Sequence, residues 1–356
     1  MGALKQDIRF ARTADGVQIA HATTGSGYPL LRAAHWLGHL DFDWQTPVWR
    51  PWIDALSERY RLVRYDARGC GLSDHAVEDF SLDRLVSDME SVADAAGLDR
   101  FALLGMSQGG AISIVYAARH PERVSHLVLC GAFARGALRR NPSAEQAAAI
   151  DAMVKLVELG WGQGNPAFLQ LFTSQFFPNA SLAQMHSFND IQRHSAPPRS
   201  AARIVSAFTR LDASAYLGQV QAPTLVFHSR DDGRVPFEEG RFIAASIPHA
   251  RFEPLDTANH LPLEGEPAFA HFLDAVGAFL PRAAAGSAVE PFGRLTQRER
   301  EILELVARGL DNAQVAAHLD LAEKTVRNNI VAIFDKIAVE NRGQAIVKAR
   351  AAGFGA

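Results

Sequence analysis

The sequence predicts a large α/β domain with a mostly parallel sheet, followed by a small all-α domain. Strand-like apolar runs alternate with helical runs through most of the first 280 residues, and this alternation is typical of a parallel sheet with helices on both faces. The strand pattern is absent between about residues 133 and 218, which predicts an inserted helical lid. A proline-flanked run of small residues at 281–291 then predicts a linker, and the segment that follows it has only helical patterns.

Composition restricts the class of protein. The 356 residues are 48% hydrophobic and 21% charged, which argues against disordered, collagen-like and coiled-coil chains. No apolar run approaches roughly 18 residues, so no membrane span is expected. The first ten residues lack an apolar segment, so no secretory signal is expected either. The two cysteines, Cys70 and Cys130, are too few for a disulfide framework and favour a cytoplasmic location.

Net charge differs between the two predicted domains. The whole chain has 36 basic and 39 acidic residues and a net charge of −3. Residues 292–356 contain ten of the basic and eight of the acidic residues. The predicted small domain is therefore mildly basic. The net charge of the whole chain does not show this, because the predicted large domain is acidic. We find no phosphate-binding glycine fingerprint, and we expect neither a cofactor nor a metal.

The elements of the large domain follow from short apolar runs and the turn residues beside them. Glycine-containing turns end the first two strands, and Pro121 ends the helix before the third. Strands are predicted at 61–65, 101–105, 124–129, 223–228 and 250–254, and helices at 82–96, 111–119 and 268–280.

A serine with small neighbours lies between a buried strand and a helix. The segment Gly105-Met106-Ser107-Gln108-Gly109 has the spacing of a nucleophile elbow, in which a sharp turn lifts the serine hydroxyl above the sheet. A glycine-rich turn without chemistry is the alternative. The position directly after a strand and before a helix favours the nucleophile.

A serine nucleophile needs a base, and the base needs a residue that orients it. His260 follows the last predicted strand, and Asp232 follows the strand before it. The order Ser107, Asp232, His260 is the order of an α/β-hydrolase triad. Asp231 is the alternative orienting residue, and the spacing to Val235 and Pro236 favours Asp232.

Residues 8–280 resemble the α/β-hydrolase fold family. The elbow, the triad order and the turn at residues 64–74 carry this resemblance. It implies that Gln108 and either Leu37 or Trp36 donate backbone amides to an oxyanion hole. His35 keeps the family register, but Trp36 replaces the family's glycine. This departure predicts slow hydrolysis, unless Trp36 only packs under the lid.

Aromatic side chains are frequent in the predicted lid. They include Phe168, Phe177 and Phe188, and core packing explains most of them. Some should nevertheless line the space above the serine, which predicts a small, largely apolar ligand such as an ester or lactone. The predicted ligand contacts are His35, Trp36, Met106, Trp161, Phe172 and Phe176.

The C-terminal residues 293–356 predict a compact group of four helices. Thr296 and Glu299 form a capping-box pattern at the start of the first helix, and Asn341 is a predicted N-cap of the fourth. The third helix, 323–337, has an apolar inner face. Its exposed start carries side chains that can contact phosphates or base edges, namely Lys324, Thr325, Arg327 and Asn328.

Residues 293–354 resemble the LuxR-type DNA-binding domain. Matching positions include Leu295-Thr296, Arg298-Glu299 and Lys324-Thr325-Val326, whereas Ala322 and Asn329 depart from the usual residues. The resemblance implies a helix-turn-helix that binds double-stranded DNA as a homodimer through its fourth helix, with RNA polymerase as a further partner. Two functions follow: a ligand-responsive transcription regulator, or a serine hydrolase with an accessory DNA-binding tail.

Overall fold

The chain divides into two units, Met1–Arg282 and Ala283–Ala356. The predicted linker, 281–292, lies almost entirely outside the described residues. The computed structural model describes residues 4–281, 292, 295–319, 321–337, 339 and 341–355.

The first unit is built on a mixed sheet whose described part has eight strands. Their order across the sheet is β1-β2-β4-β3-β5-β6-β7-β8, with antiparallel pairing only at β1/β2 and β2/β4. The strands are β1 Asp7–Arg12, β2 Gln18–Thr24, β3 Tyr28–Arg32, β4 Tyr60–Tyr65, β5 Phe101–Met106, β6 Val124–Cys130, β7 Thr224–Ser229 and β8 Arg251–Leu255.

Helices cover both faces of this sheet and insert before β7. Four of them, α5 to α8, form the lid. The helices of the first unit are α1 Leu40–Asp43, α2 Arg50–Ser57, α3 Leu82–Ala95, α4 Gln108–Arg119, α5 Ala144–Gly160, α6 Pro166–Ser174, α7 Leu182–Ser195, α8 Pro198–Arg210, α9 Phe237–Ser246 and α10 Pro267–Phe279.

The five predicted strands are present within one residue at each end, because each is an apolar run that the fold buries. Every residue of β5 is buried, as expected for a central parallel strand. The strands β1, β2 and β3 were not predicted. The mostly exposed, polar sequence of the edge strand β1 explains its omission, whereas β2 and β3 are largely buried. Between residues 133 and 218 the described structure is helical apart from one bridge, Arg135 to Asp212. No described helix is both long and apolar enough to cross a membrane.

The second unit contains helices α11 Gln297–Ala307, α12 Asn312–Leu319, α13 Glu323–Lys336 and α14 Arg342–Ala351. Thr296 and Glu299 form the predicted capping box, and Asn341 caps α14. A separate apolar core joins the helices through Ile302, Val306, Val315, Val326, Ile333 and Ile337. The inner and outer faces of α13 are those the sequence predicted.

A buried ion pair fixes the turn that follows β4. Arg68 forms two parallel hydrogen bonds to Asp88 of α3, at 2.8 and 2.7 Å, and both side chains are 1% exposed. Arg68 also contacts Asp15 at 3.0 Å. Burial raises the pKa of Asp88 despite the neighbouring guanidinium. The carboxylate therefore depends on Arg68 to remain charged.

We expect Arg68→Met to lower the free energy of unfolding by about 3–5 kcal/mol, because it leaves a buried carboxylate without its partner. Urea unfolding followed by tryptophan fluorescence reports on this unit, since the tryptophans all lie between residues 36 and 161. The matched control is Arg84→Met, whose exposed pairs are worth less than about 1 kcal/mol. Equal losses in the two variants would contradict a special role for Arg68.

Candidate functional site

The predicted nucleophile lies at a strained turn between β5 and α4. Ser107 has φ 51° and ψ −123°, a backbone conformation that a residue with a Cβ adopts only at a cost of about 1–3 kcal/mol. Such a turn exposes the hydroxyl above the carboxyl edge of the sheet. Ser107 is partly exposed in a cavity, whereas its neighbours Met106 and Gln108 are buried.

Glycines make this turn possible by allowing close packing. A Cβ on Gly105 would lie 2.6 Å from Ser113 Oγ, and one on Gly109 would lie 3.0 Å from the Ala33 carbonyl oxygen. A Cβ on Gly110 would collide with the Ala132 side chain. Gly110 lies outside the G-x-S-x-G pattern, so the sequence motif did not identify it.

Asp232 and His260 are joined as the sequence predicts for an orienting residue and a base. Asp232 Oδ2 lies 2.7 Å from His260 Nδ1, and both side chains are at most 1% exposed. Asp232 Oδ1 accepts hydrogen bonds from the Arg234 and Val235 amides at 2.8 and 3.0 Å. The alternative, Asp231, is exposed and makes no such contact among the described residues.

The electrostatics of this pair favour an ionised carboxylate. Burial alone would raise the pKa of Asp232, but His260, His228 and the Val235 amide together hold it well below its usual value. An ionised Asp232 fixes the proton of His260 on Nδ1, which leaves Nε2 as the acceptor.

His260 Nε2 is the atom that would take the serine proton. It is buried and has no hydrogen-bond partner among the described residues. Ser107 and His260 line the same small cavity of about 30 Å³. Gly131 leaves room for the imidazole, since a Cβ there would lie 3.1 Å from His260 Cε1.

A second histidine, His228, touches the orienting carboxylate. It lies in β7 with its side chain fully buried, and its Nε2 is 3.0 Å from the Val235 carbonyl oxygen and 3.5 Å from Asp232 Oδ2. The sequence predicts His228 only as the last residue of the strand 223–228. His228 lies just before the Asp232 loop, at the edge of the sheet where Ser107 also lies. This position is the feature of the sequence that could have identified His228 as part of the site.

The structure distinguishes the two amides proposed beside Gln108 for the oxyanion hole. The Trp36 amide donates to the Gln108 side-chain oxygen at 3.2 Å, so it is already engaged. The Leu37 and Gln108 amides have no acceptor among the described residues. The Leu37 amide is thus the candidate for the second oxyanion donor that remains available. Gln108 is the other candidate donor through its backbone amide, and its side chain links the two loops by accepting from Trp36.

Trp36 packs under the lid and also lines the two cavities at Ser107, so packing is not its only role. Its side chain is buried, with ring centroids 4.9 Å from Trp161, 5.9 Å from Phe172 and 6.4 Å from Phe208. Next to it, His35 packs on Trp49 at 4.7 Å, and burial lowers the pKa of His35 well below its usual value. A neutral His35 therefore supports the loop without adding charge.

A larger cavity of about 260 Å³ extends from Ser107 toward the lid. Trp36 and Phe176 line both this cavity and the small one, and His35 lines the small one. Met106, Trp161 and Phe172, also predicted as ligand contacts, line neither. Met106 is sealed inside β5, and the two lid residues pack behind Trp36. Two arginines, Arg140 and Arg234, are also among the residues that line the larger cavity.

No three His, Cys, Asp or Glu side chains in the described chain are grouped so that they could hold a metal ion. Both cysteines are free and buried. In chemical terms, the site combines a serine hydroxyl, a buried imidazole paired with a carboxylate, and two backbone amides that have no acceptor among the described residues.

The start of α13 presents the side chains predicted to contact DNA. Lys324, Thr325, Arg327 and Asn328 are all exposed, and Val326 between them is buried in the core. Arg327 contacts Glu323 at 3.4 Å through an exposed pair. The four side chains are therefore available on one face of the second helix of the helix-turn-helix.

An ion pair across the small unit holds α13 against α11. Lys336 Nζ lies 2.7 Å from both carboxylate oxygens of Glu299, and the Glu299 side chain is 7% exposed. Burial would raise the pKa of Glu299, but Lys336 and the capping hydrogen bonds from Thr296 lower it. One carboxylate thus supports both the helix start and the helix packing.

The fold is that of an α/β-hydrolase, and the chain continues into a small helix-turn-helix unit. The family model of the alpha/beta hydrolase fold matches residues 36–267, and that of bacterial regulatory proteins of the luxR family matches residues 294–349. The chain therefore belongs to the α/β-hydrolase fold family and carries a C-terminal LuxR-family domain, as its sequence predicted.

Similar proteins match the large unit. RutD of Azorhizobium caulinodans is 27% identical over 243 residues, which cover 66% of this chain and 85% of RutD. RutD of Caulobacter segnis is 30% identical over 220 residues, covering 60% and 79%. The crystal structure of a hydrolase from Pseudomonas aeruginosa aligns with a TM-score of 0.64 and 25% identity, covering 77% of this chain and 98% of that one.

We expect Lys336→Met to reduce the protection of amides in α11 and α13 by about 5- to 30-fold, or 1–2 kcal/mol, because the buried Glu299 loses its partner. Hydrogen exchange of the full chain, followed by mass spectrometry, measures this separately for each unit. Lys324→Met removes an exposed lysine from the same helix and should leave protection unchanged. Equal protection in the two variants would contradict the role of the Lys336–Glu299 pair.

Proposed function

We propose that the chain is a transcription regulator whose hydrolase-fold domain binds a small ester or lactone and slowly hydrolyses it, and that binding of the ligand controls the DNA-binding domain. The LuxR-family domain supports DNA-binding regulation. The Asp232–His260 hydrogen bond beside the elbow serine is the observation that carries the hydrolytic part of the proposal. A bound ligand would control the tail by favouring one state of the chain over another.

The proposed chemistry is acyl transfer to Ser107. His260 Nε2 takes the hydroxyl proton as Oγ attacks the carbonyl carbon, and Asp232 stabilises the resulting imidazolium. The Gln108 and Leu37 amides would stabilise the oxyanion. Collapse expels the alcohol, which receives the proton from His260. Water, deprotonated by His260, then cleaves the acyl-enzyme to the acid and frees Ser107.

We propose slow turnover because of the loop that carries the second oxyanion donor. Trp36 replaces the family's glycine, and its amide is tied to the Gln108 side chain. One oxyanion donor typically contributes about 10²–10³ in rate, so a modest displacement of Leu37 is costly. A sensor benefits from slow turnover, because the ligand must persist long enough to be detected.

The second candidate is a hydrolase with an accessory DNA-binding tail. The complete hydrogen bonding of Asp232 favours it, since a pure binding domain does not need this arrangement. Turnover of short acyl esters at about 1 per second or faster would favour this candidate. Slower turnover, with a transcriptional response that survives Ser107→Ala, would favour the sensor.

We expect Asp232→Asn to lower kcat/KM for a p-nitrophenyl ester by about 10³–10⁴-fold, because an amide cannot hold His260 in the required tautomer. Asp231→Asn makes the same chemical change one residue earlier, at an exposed side chain, and should retain the activity. Steady-state kinetics of purified full-length variants measures both. A small loss in Asp232→Asn would reject a triad mechanism.

We expect Arg327→Ala to weaken binding to a selected DNA duplex by about 5- to 100-fold, or 1–3 kcal/mol, because it removes a cation from the exposed start of α13. Fluorescence anisotropy at fixed salt measures the affinity. Arg308→Ala, at the end of α11 and paired with Glu304 at 3.0 Å, is the matched control and should bind normally. Normal binding by Arg327→Ala would place the DNA contact elsewhere.

A further inference from the structure

The larger cavity above Ser107 contains two guanidinium groups. Arg140, just after the 3-10 turn Ala137–Arg139, and Arg234, in the Asp232 loop, both line it. The rest of the lining is mostly apolar and includes Phe133, Val205 and Phe208. Two partly buried cations in a mostly apolar cavity beside a nucleophile need an explanation, because removing a charge from water is costly unless it is paired.

Arg234 has no carboxylate partner. Among the described residues, no carboxylate oxygen lies within 4 Å of its guanidinium. Asp232, two residues before it, is bonded to His260, and its only hydrogen bond from Arg234 comes from the backbone amide, not from the guanidinium. The guanidinium carbon lies 5.3 Å from the centre of the Phe176 ring. A ring face gives a cation some stabilisation, but it supplies no hydrogen-bond acceptors of carboxylate strength.

Arg140 is only partly neutralised. Its Nε donates to the Arg135 carbonyl oxygen at 2.8 Å and lies 3.7 Å from Glu239 Oε2. Glu239 is already bonded to the guanidinium of Arg135 at 2.9 Å and to its backbone amide. One carboxylate therefore faces two arginines, and the cavity has an excess of positive charge.

The pKa directions agree with this geometry. Burial lowers the pKa of Arg234, the positive charge of Arg140 lowers it further, and the negative charge of Asp232 offsets only part of this lowering. Burial also lowers the pKa of Arg140, which Glu239 only partly offsets. Each guanidinium would be stabilised by an anion placed between them. The planar fork of donors on arginine matches a carboxylate, which can bind it through two parallel hydrogen bonds.

We propose that Arg140 and Arg234 form the binding site for a carboxylate on the ligand, so the cavity takes an acidic compound with an apolar body. This proposal rests on the proposed function. It identifies the ester or lactone as a compound with a free carboxylate at a position distant from the bond that Ser107 attacks. The apolar lining contacts the body of the ligand, and the arginine pair fixes its orientation.

Equilibrium binding to full-length protein with Ser107→Ala tests this without depending on turnover. The probes are 4-phenylbutyrate and 4-phenylbutyramide, which share a carbon skeleton and differ in charge. We expect calorimetry to show at least tenfold tighter binding of the carboxylate, equal to about 1.4 kcal/mol. Adding Arg234→Met or Arg140→Met should reduce this preference to less than about threefold.

The matched control is Arg139→Met, because this neighbouring arginine is exposed and does not line the cavity. It should keep the tenfold preference. If Arg234→Met fails to fold, as judged by circular dichroism, Arg234→Lys keeps the charge without the planar fork and should show an intermediate preference.

Three results would overturn the proposal. The first is equal binding of the two probes. The second is a preference for the carboxylate that remains in both arginine variants. The third is no binding of the carboxylate at about 10 mM, because a probe of this size that fits its site should bind at a lower concentration. Ester hydrolysis by the protein with Ser107 intact is measured separately. Carboxylate-specific binding without ester turnover would support the arginine site while rejecting the hydrolytic part of the proposed function.

Discussion

The strained turn at Ser107 is the constraint on which the large unit depends. Its positive φ is tolerated because Gly105, Gly109 and Gly110 let strand β5, helix α4 and the following loops pack almost backbone to backbone. Close packing of this kind allows few alternatives, so the hydroxyl has a defined position. The parallel strands then bring the Asp232 and His260 loops to the same edge of the sheet.

The lid is bonded to the histidine loop as well as lying above it. The His260 amide donates to the Phe176 carbonyl oxygen at 2.7 Å, and Asn259 Oδ1 accepts from the Asn179 amide at 3.0 Å. Phe176 also lies against the Arg234 guanidinium and lines both cavities. A ligand that displaces Phe176 would therefore disturb the lid and the base together. This offers a physical route for sensing within the large unit.

Much of the fold and the chemistry was predictable because it depends on local pattern. The central strands are apolar runs, Ser107 has its small neighbours, and the capping residues of the small unit are local signals. Gly110, His228 and the engaged Trp36 amide were not predictable, because each depends on contacts between segments far apart in sequence. The arginine pair was missed for the same reason, since Arg140 and Arg234 line one cavity only in the folded chain.

The proposed control of DNA binding by the hydrolase-fold site is the claim that most needs a direct measurement. A fluorophosphonate can be reacted with Ser107 in the full-length protein until the intact mass shows complete modification. Anisotropy then compares the affinity of modified and unmodified protein for a duplex selected from a random pool. We predict a change in Kd of at least about fivefold, the lower range of coupling between sites. Identical affinities after complete modification of Ser107 would contradict the account.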